Sequence, residues 1–307
     1  MTTLAAIRQE SSPADIAIRN SFLRHLRAKG LSPTTIKRYA LSIRQYQEFA
    51  AGMNFPESPA REHIEHFLEN GRNRGHSDSS VRNDYLALRG FFKWLCEEGE
   101  VTHDPMVNMV TPRVAEHLPS PYSDLEIKAM LRVCRGHEFE QVRGAAIIMT
   151  LFDTGLRASE FVGLKITDVN LDSEHILVRG KGRKERIVRL GYRAQQAVDR
   201  YVRMRARKNA SEQALWLNRN GRPLTVSGVF QVVQRICQQA GVPNPGLHRF
   251  RHTAATKMSD LGLAESDLMH LLGWSSHSMA ARYTRSGERE RALRAHRQFS
   301  PGDNLNP

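Results

Sequence analysis

The chain has 307 residues, of which 40% are hydrophobic and 25% charged, and this composition is typical of a globular protein large enough for two domains. No apolar run approaches the ~20 residues that a membrane helix needs, and residues 1–12 lack the layout of a secretory signal, so we expect a cytoplasmic protein. The net charge of +13 lies mostly in residues 114–307, which hold 30 Lys and Arg against 19 Asp and Glu. This excess favours a nucleic acid as the partner. The alternatives are a protein that binds a membrane surface and a basic protein without a polyanionic partner.

The first hundred residues predict four helices. Ser-Pro pairs at 12–13, 32–33 and 58–59 each place an N-cap hydroxyl before a proline at the first helical position. A fourth helix begins near Ser77, and glycines mark the expected helix ends at Gly30, Gly52, Gly71 and Gly99. The apolar stripe of the fourth helix predicts core and not a cofactor site; it consists of Val81, Tyr85, Leu88, Phe92 and Leu95.

Basic residues on the other faces of these helices have two interpretations. They are either solvated surface or contacts to phosphate, and the sequence does not choose between them. The DNA-binding candidates are Lys37, Arg38, Arg44, Arg82 and Arg89.

Helical periodicity is lost between Val101 and Ser123, where four prolines accumulate. This predicts an interdomain linker over 101–122, long enough to run around a ligand held between two domains. The expected organisation is an N-terminal tail (1–12), a helical domain (13–100), the linker, and a second domain with a C-terminal helix and tail (123–307).

The second domain is predicted to be mainly helical with one small antiparallel sheet. Two short β-like runs, HILVR and ERIVRL, flank a basic, glycine-rich turn at 180–184. Helices are expected over 123–134, 138–153, 191–208, 226–240, 247–261, 264–272, 276–285 and 287–298. The three cysteines are odd in number, far apart and without a C-x-x-C pair, so we expect core or half-buried thiols: Cys96, Cys134 and Cys237.

Two of the clusters suited to chemistry lie in the first half of this domain. In TGLRASE, a glycine turn opens a helix with Arg157 in its first turn, and Glu160 can hold the guanidinium. Lys181 lies in the hairpin turn and can act as a mobile charge or proton donor, while Arg183 and Lys184 can grip phosphates. Taken singly, a surface Arg–Glu pair and a solvated turn are the commoner outcomes.

Two further clusters follow. His248 and Arg251 are spaced i, i+3 on a predicted helix, so both can face one ligand. His248 and His252 have the spacing of a helical metal pair, but Arg249 stands where the zinc-protease pattern needs glutamate, so no metal is expected. The last cluster joins LLGW to Tyr283 in ARYTR, and a lone tyrosine of this kind is more often a buried aromatic.

In combination, the motifs TGLRASE, GKGRKER, HRFRH, LLGW and RYTR resemble the tyrosine recombinase, or phage integrase, family. The resemblance runs in order over the whole second domain, and the four-helix segment with its linker resembles that family's core-binding domain. Each motif is weak alone, and five in sequence make chance agreement remote. The resemblance implies an enzyme that breaks and rejoins DNA strands.

Position by position, the resemblance assigns a catalytic role to one residue or more in each motif. The implied catalytic set is two arginines, Arg157 and Arg251, the lysine Lys181, the histidine His248 and the nucleophile Tyr283, with Glu160 supporting the first arginine.

One position departs from the commonest family pattern. Many members have histidine where this chain has Trp274, whose indole N–H can donate a hydrogen bond to phosphate but cannot exchange a proton. We therefore expect Trp274 to pack and donate, leaving proton transfer to His248 and Lys181. His277 nearby is expected to contact surface or DNA.

The resemblance also implies the partners. A 3′-phosphotyrosine conserves the bond energy, so no ATP or other cofactor is expected. The implied partners are double-stranded DNA with specific recombination sites and a homotetramer assembled on that DNA. The tail predicts a final helix, whose Leu293 and Phe299 either anchor in a neighbouring subunit or pack in cis.

Several functions share these residues. A mobile-element integrase and a Xer-type dimer resolvase use the same chemistry, and Trp274 with the long tail favours the integrase. A type IB topoisomerase fits the two-domain clamp and tail less well. A catalytically silent DNA-binding regulator is disfavoured because every candidate position carries a competent residue, and a metal-dependent nuclease would lose activity in EDTA.

Overall fold

The computed structural model describes residues 12–53, 59–114, 120–180, 185–209, 211–284 and the single positions 293, 296 and 300. The chain divides into two compact units, Met1–His117 and Leu118–Pro307. The predicted fold class is confirmed, since the first unit is helical and the second adds one small antiparallel sheet to its helices. The finer limits expected for the tail and the linker stay predictions.

The described part of the N-terminal unit contains four helices: α1 (Pro13–Ala28), α2 (Pro33–Gly52), α3 (Arg61–Asn73) and α4 (Asp78–Glu97). Three of them begin at the predicted serine caps. The hydroxyl oxygens of Ser12, Ser32 and Ser77 each accept a hydrogen bond from the backbone N–H three residues later. Such bonds satisfy donors that the first helical turn leaves free.

The third helix differs from the prediction at both ends. Its N-cap is Ala60, two positions after the predicted Ser58, which lies outside the described residues; the Ala60 N–H donates to Nδ1 of His63 at 3.1 Å. The helix passes through Gly71, and the left-handed residue that follows it is Gly75. Gly52 was also expected to end its helix in a left-handed conformation. It is instead the last helical residue of α2, and the C-cap is Met53.

The predicted stripe of α4 is buried at the centre of the N-terminal core. Two residues of the predicted linker also belong to this unit. Met106 is buried in the same core, and the carbonyl oxygen of Met109 accepts a hydrogen bond from the Tyr85 hydroxyl at 2.5 Å. The beginning of the linker is therefore packed against the helices and does not run freely.

The second unit contains eight helices among its described residues: α5 (Asp124–Val133), α6 (Phe139–Thr154), α7 (Ala158–Val162), α8 (Tyr192–Lys208), α9 (Val226–Ala240), α10 (Leu247–Asp260), α11 (Glu265–Leu272) and α12 (His277–Thr284). Its three strands, β1 (Val169–Asn170), β2 (His175–Arg179) and β3 (Glu185–Arg189), pair antiparallel in the order β1-β2-β3. In the predicted hairpin, Leu177 of β2 lies opposite Ile187 of β3. The short β1 was not predicted, because a strand of two residues shows no usable periodicity.

The core of the second unit fixes α6 and α7 in place. Helix α6 packs against α8, α9 and α10. Trp216 stacks on Phe161 of α7 and on Tyr201 of α8, with ring centroids 4.5 and 5.2 Å apart. Cys134 and Cys237 are buried free thiols and Cys96 is half-buried. Among the described helices, none is both long enough and apolar enough to cross a bilayer.

Candidate active site

Arg157 is placed by a glycine turn between two helices. Helix α6 ends at Gly155, which has a left-handed conformation with φ +58°. A Cβ at this position would lie 2.8 Å from Leu272 Cδ2 and 3.0 Å from Ala254 Cβ, so only glycine lets the chain pass here. Arg157 follows as the N-cap of α7, just before the helix and not inside its first turn as predicted. Its side chain is 37% exposed.

Arg251 comes from α10 and reaches the same place from the interior. The residue is only 2% exposed. Its Nη1 donates to the Gly155 carbonyl oxygen at 2.9 Å, and its Nη2 donates to the Leu272 carbonyl oxygen at 2.6 Å. The guanidinium also lies 5.5 Å from the centre of the Trp274 ring, within the range of a cation–π contact.

The C-terminal end of α11 is the common acceptor of these arginines. The carbonyl oxygen of Leu272 accepts from Arg251 and, at 3.5 Å, from Nη1 of Arg157. The carbonyl oxygen of Gly273 accepts from Nη2 of Arg157 at 2.8 Å. The last carbonyls of a helix have no partner within it and carry the negative end of its dipole. They are therefore suited to hold guanidinium groups side by side.

Glu160 supports the first arginine, as the sequence predicts. Its carboxylate accepts from the Arg157 backbone N–H at 3.1 Å and from Arg157 Nη1 at 2.9 Å. It also accepts two bonds from Arg186, at 3.1 and 2.8 Å. Burial raises the pKa of this carboxyl, but the bonds from Arg186 and Arg157 outweigh it and lower the pKa overall. Glu160 is therefore an anion shared by two guanidinium groups.

His248 stands on the exposed side of this group, one helical turn from Arg251 on α10. Partial desolvation, together with the positive charges of Arg251 and Arg157, lowers its pKa below the ordinary 6.5. The imidazole is therefore neutral at pH 7 and able to accept a proton. His252 has a different environment: it is buried, and its Nδ1 lies 3.2 Å from the Thr256 hydroxyl.

Trp274 belongs to a small separate core. It is 6% exposed and packs in a cluster with Ala255, Leu268, Leu272 and Ala280. These residues come from α10, α11 and α12, so the cluster holds α12 against α10, which carries Arg251, and against α11, whose end carries the acceptor carbonyls. Helix α12 includes position 283, but the Tyr283 side chain lies outside what the structure describes.

The remaining predicted residues have various places. Lys181, Arg183 and Lys184 lie outside the described residues. His277 is exposed at the beginning of α12, with Nδ1 2.9 Å from Glu265. The five N-terminal candidates are all exposed, three on α2 and two on α4: Lys37, Arg38, Arg44, Arg82 and Arg89.

One residue of this site was missed by the sequence reasoning. Arg186 lies on β3, and its side chain is 9% exposed and bonded to Glu160 and to the carbonyl oxygen of Leu271. Strand alternation was the available signal, since Arg186 shares a face with Val188 and Leu190, both buried. The apolar Ile187 obscured it, because it suggests the opposite face as the buried one yet is exposed.

Comparisons with known proteins agree with this arrangement. Residues 123–290 match the family model described as phage integrase family, and residues 18–99 match the phage integrase N-terminal SAM-like domain. The chain is 31% identical over 282 residues to tyrosine recombinase XerD of Listeria monocytogenes serotype 4b (strain F2365), covering 89% of this chain and 94% of the relative. It is 32% identical over 271 residues to tyrosine recombinase XerC of Pelobacter propionicus (strain DSM 2379 / NBRC 103807 / OttBd1), covering 86% and 89%.

Solved structures show the same fold. The XerH site-specific recombinase bound to palindromic difH substrate has a TM-score of 0.72 at 21% identity, covering 98% of this chain and 92% of that one. The Tn1549 transposon integrase (residues 82–397) has a TM-score of 0.71 at 19% identity, covering 90% and 98%. With two family models, full-length relatives and the fold in agreement, the chain belongs to the phage integrase family and is a tyrosine-type DNA recombinase.

Proposed function

We propose that this recombinase cleaves and rejoins DNA at specific sites through a covalent bond between Tyr283 and a 3′-phosphate. The observation that carries the proposal is the meeting of Arg157 and Arg251 at one carbonyl oxygen, that of Leu272. Two guanidinium groups from distant parts of the chain are thereby held side by side. Such a pair suits a single phosphate with two non-bridging oxygens.

The arginines supply the charge stabilisation. Phosphodiester exchange develops negative charge on the non-bridging oxygens, and fixed cationic donors stabilise that charge without having to reorganise. Arg251 is held rigid by burial and by two carbonyl acceptors. Arg157 is more exposed and is oriented by Glu160 and by Gly273. Trp274 supports Arg251 through its ring face.

Two further groups move the protons. A tyrosine hydroxyl has a reference pKa of about 10, so it needs a base when it attacks. His248 accepts this proton, consistent with its lowered pKa. The bond between the Tyr283 oxygen and phosphorus forms, the bond from phosphorus to the 5′ oxygen breaks, and Lys181 donates a proton to that oxygen. Rejoining reverses these steps on a partner strand, and no ATP is consumed because the phosphotyrosine keeps the bond energy.

Duplex DNA is the proposed partner. Each of two N-terminal helices carries an exposed leucine between exposed basic residues at helical spacing: Lys37, Leu41 and Arg44 on α2, and Arg82, Leu86 and Arg89 on α4. Basic residues can contact phosphates while apolar ones contact base edges. Similar solved structures include a lambda integrase dimer bound to a COC′ core site and a lambda integrase tetramer bound to a Holliday junction. We propose a homotetramer on DNA for this chain also.

A test of the chemistry begins with duplexes that carry a nick and a randomised core, because the target site has to be found first. Cleavage releases the short fragment between the cleavage site and the nick, which carries the free 5′-hydroxyl and diffuses away. Rejoining is then impossible, so the covalent adduct accumulates; it is recovered after SDS treatment and its DNA is sequenced. We expect an adduct that is lost in Tyr283→Phe and strongly reduced in Arg157→Ala and Arg251→Ala. An adduct that persists in Tyr283→Phe overturns the nucleophile.

The biological role has two candidates. Similarity to the tyrosine recombinases XerD and XerC favours a Xer-type role, the resolution of chromosome or plasmid dimers, whereas Trp274 and the C-terminal tail favour integration of a mobile element. The trapped DNA site distinguishes the two roles in a pair of assays. In one, two copies of the site lie on the same plasmid; in the other, each of two plasmids carries one copy. Resolution alone supports the Xer-type role, and efficient joining of the two plasmids supports the integrase.

A further inference from the structure

The inward-facing arginine of β3 has no part in the chemistry described so far. Arg186 donates from Nε to the Leu271 carbonyl oxygen at 2.8 Å. Its two terminal nitrogens bond the two oxygens of Glu160, so this contact is bidentate. With three charge-assisted bonds and only 9% of the side chain exposed, Arg186 is held in one orientation.

Arg186 and Arg157 share their acceptors. Oxygen Oε1 of Glu160 accepts from Nη1 of both arginines, at 2.9 Å from Arg157 and 3.1 Å from Arg186. Both also bond the end of α11, through the carbonyl oxygens of Leu271 and Gly273. The position of the Glu160 carboxylate is therefore set by Arg186, and the position of the Arg157 guanidinium is set by that carboxylate.

The same residue fixes the beginning of β3. Strand β3 starts at Glu185, so Arg186 lies only two positions after the end of the segment 181–184, which contains Lys181. The bonds from Arg186 to Glu160 of α7 and to the end of α11 fix the first residues of β3. One side chain thus joins the strand next to the proposed general acid to the carboxylate that orients a proposed phosphate-binding arginine.

We propose that Arg186 is a positioning residue for the cleavage step, acting on Arg157 through Glu160. The proposal rests on the proposed function, since it assumes that Arg157 serves the cleavage step. A purely structural ion pair is the alternative. Such a pair stabilises the folded protein but leaves the cleavage rate of the folded molecules unchanged.

The first experiment compares three variants of the full-length chain on the nicked duplex recovered with the wild type. Arg186→Met removes the charge and keeps a similar stem, and Arg186→Lys keeps the charge but not the bidentate contact. Arg189→Met is the matched control, because Arg189 also lies on β3 and pairs with a glutamate, Glu174, but at an exposed position. Adduct formation is measured in a single turnover at saturating protein, beside DNA affinity and urea unfolding.

We expect Arg186→Met to slow adduct formation by about tenfold to a hundredfold, the range for losing one charge-assisted hydrogen bond. Arg186→Lys is expected to regain part of this loss, and Arg189→Met to match the wild type. We expect DNA affinity to change less than twofold, because only 9% of the Arg186 side chain is exposed. A wild-type rate in Arg186→Met, or a loss explained entirely by the unfolded fraction, overturns the inference.

A second measurement detects action through Glu160. Without Arg186, the buried carboxyl loses a cation that lowers its pKa, so its pKa rises and the acid limb of the rate profile, to which Glu160 contributes beside His248, moves to higher pH. The charged groups that the structure records bonded to Glu160 are Arg157 on α7 and Arg186 on β3. In the Glu160→Gln background, Arg186→Met no longer shifts the limb, and the two rate losses do not multiply.

Full multiplication of the two losses, or a limb that still moves in the Glu160→Gln background, refutes action through Glu160. Failure of the proposed function gives a different result, namely a wild-type protein without a Tyr283 adduct. The variant comparison is made only on a wild type that forms the adduct.

Discussion

Gly273 packs directly against Arg186 beside the proposed phosphate-binding arginines, and its replacement by alanine tests the arrangement. Gly273 has φ +62°, and an added Cβ would lie 2.9 Å from Nη1 and 3.1 Å from Cζ of Arg186. Arg186 cannot withdraw without losing bonds to Glu160 or to the Leu271 carbonyl. Gly273→Ala therefore combines backbone strain with a clash against a fixed cation.

Gly241 provides a control that isolates the strain. It ends α9 in the same left-handed conformation, with φ +67°, and an added Cβ would meet nothing within 4 Å. The left-handed region costs a residue with a Cβ about 1–2 kcal/mol. Losing one charge-assisted hydrogen bond costs roughly 1.5–3 kcal/mol more. We expect Gly241→Ala to lower the free energy of unfolding by about 1–2 kcal/mol and Gly273→Ala by about 2.5–5 kcal/mol.

Urea unfolding followed by tryptophan fluorescence measures the difference. The Trp94→Phe background removes the tryptophan of the N-terminal unit, so the signal comes from Trp216 and Trp274 in the second unit. With an m-value of about 2 kcal/mol/M, the additional ~1.5–3 kcal/mol should place the midpoint of Gly273→Ala about 0.75–1.5 M below that of Gly241→Ala. Equal midpoints for the two variants would show that Arg186 is not fixed behind Gly273.

Three further outcomes are expected. Glu160→Gln should lower the free energy of unfolding by about 3 kcal/mol at pH 7, because a buried ion pair loses one partner. Since the folded pKa of Glu160 is lowered, the difference in unfolding free energy between wild type and variant should become smaller below about pH 4. A difference that stays constant from about pH 7 to 3.5 contradicts this expectation. His248→Gln should slow adduct formation by about 10²–10⁴-fold. In the pH–rate profile of the wild type, the acid limb that depends on His248 should lie below pH 6.5, because the pKa of His248 is lowered. A limb above pH 6.5 argues against His248 as the base. The slope of log DNA affinity against log salt concentration should fall by about one unit in Lys37→Ala and in Arg82→Ala, because each removes one phosphate contact. The control Arg203→Ala removes an exposed partner of Asp199 on α8 and should keep the wild-type slope. Equal slopes in all three variants exclude the exposed basic faces of α2 and α4 from the DNA interface.

The sequence alone determined the features that depend on neighbouring residues. Helix beginnings at Ser12, Ser32 and Ser77 were predicted because an N-cap and its first helical turn lie within four positions of each other. The stripe of α4 was predicted for the same reason, since a helical period repeats within a single element. The family motifs identified the tyrosine-type recombinase, and the comparisons confirm that family.

The tertiary structure decided how the site is held together. Arg157 and its acceptor Gly273 are 116 positions apart, and Arg251 and its acceptor Gly155 are 96 positions apart. Each acceptor is a backbone carbonyl, which every residue carries, so no residue type marks it in the sequence. Which carbonyls remain free for the arginines depends on where α11 ends and how α10 and β3 pack against it, and only the folded chain establishes that.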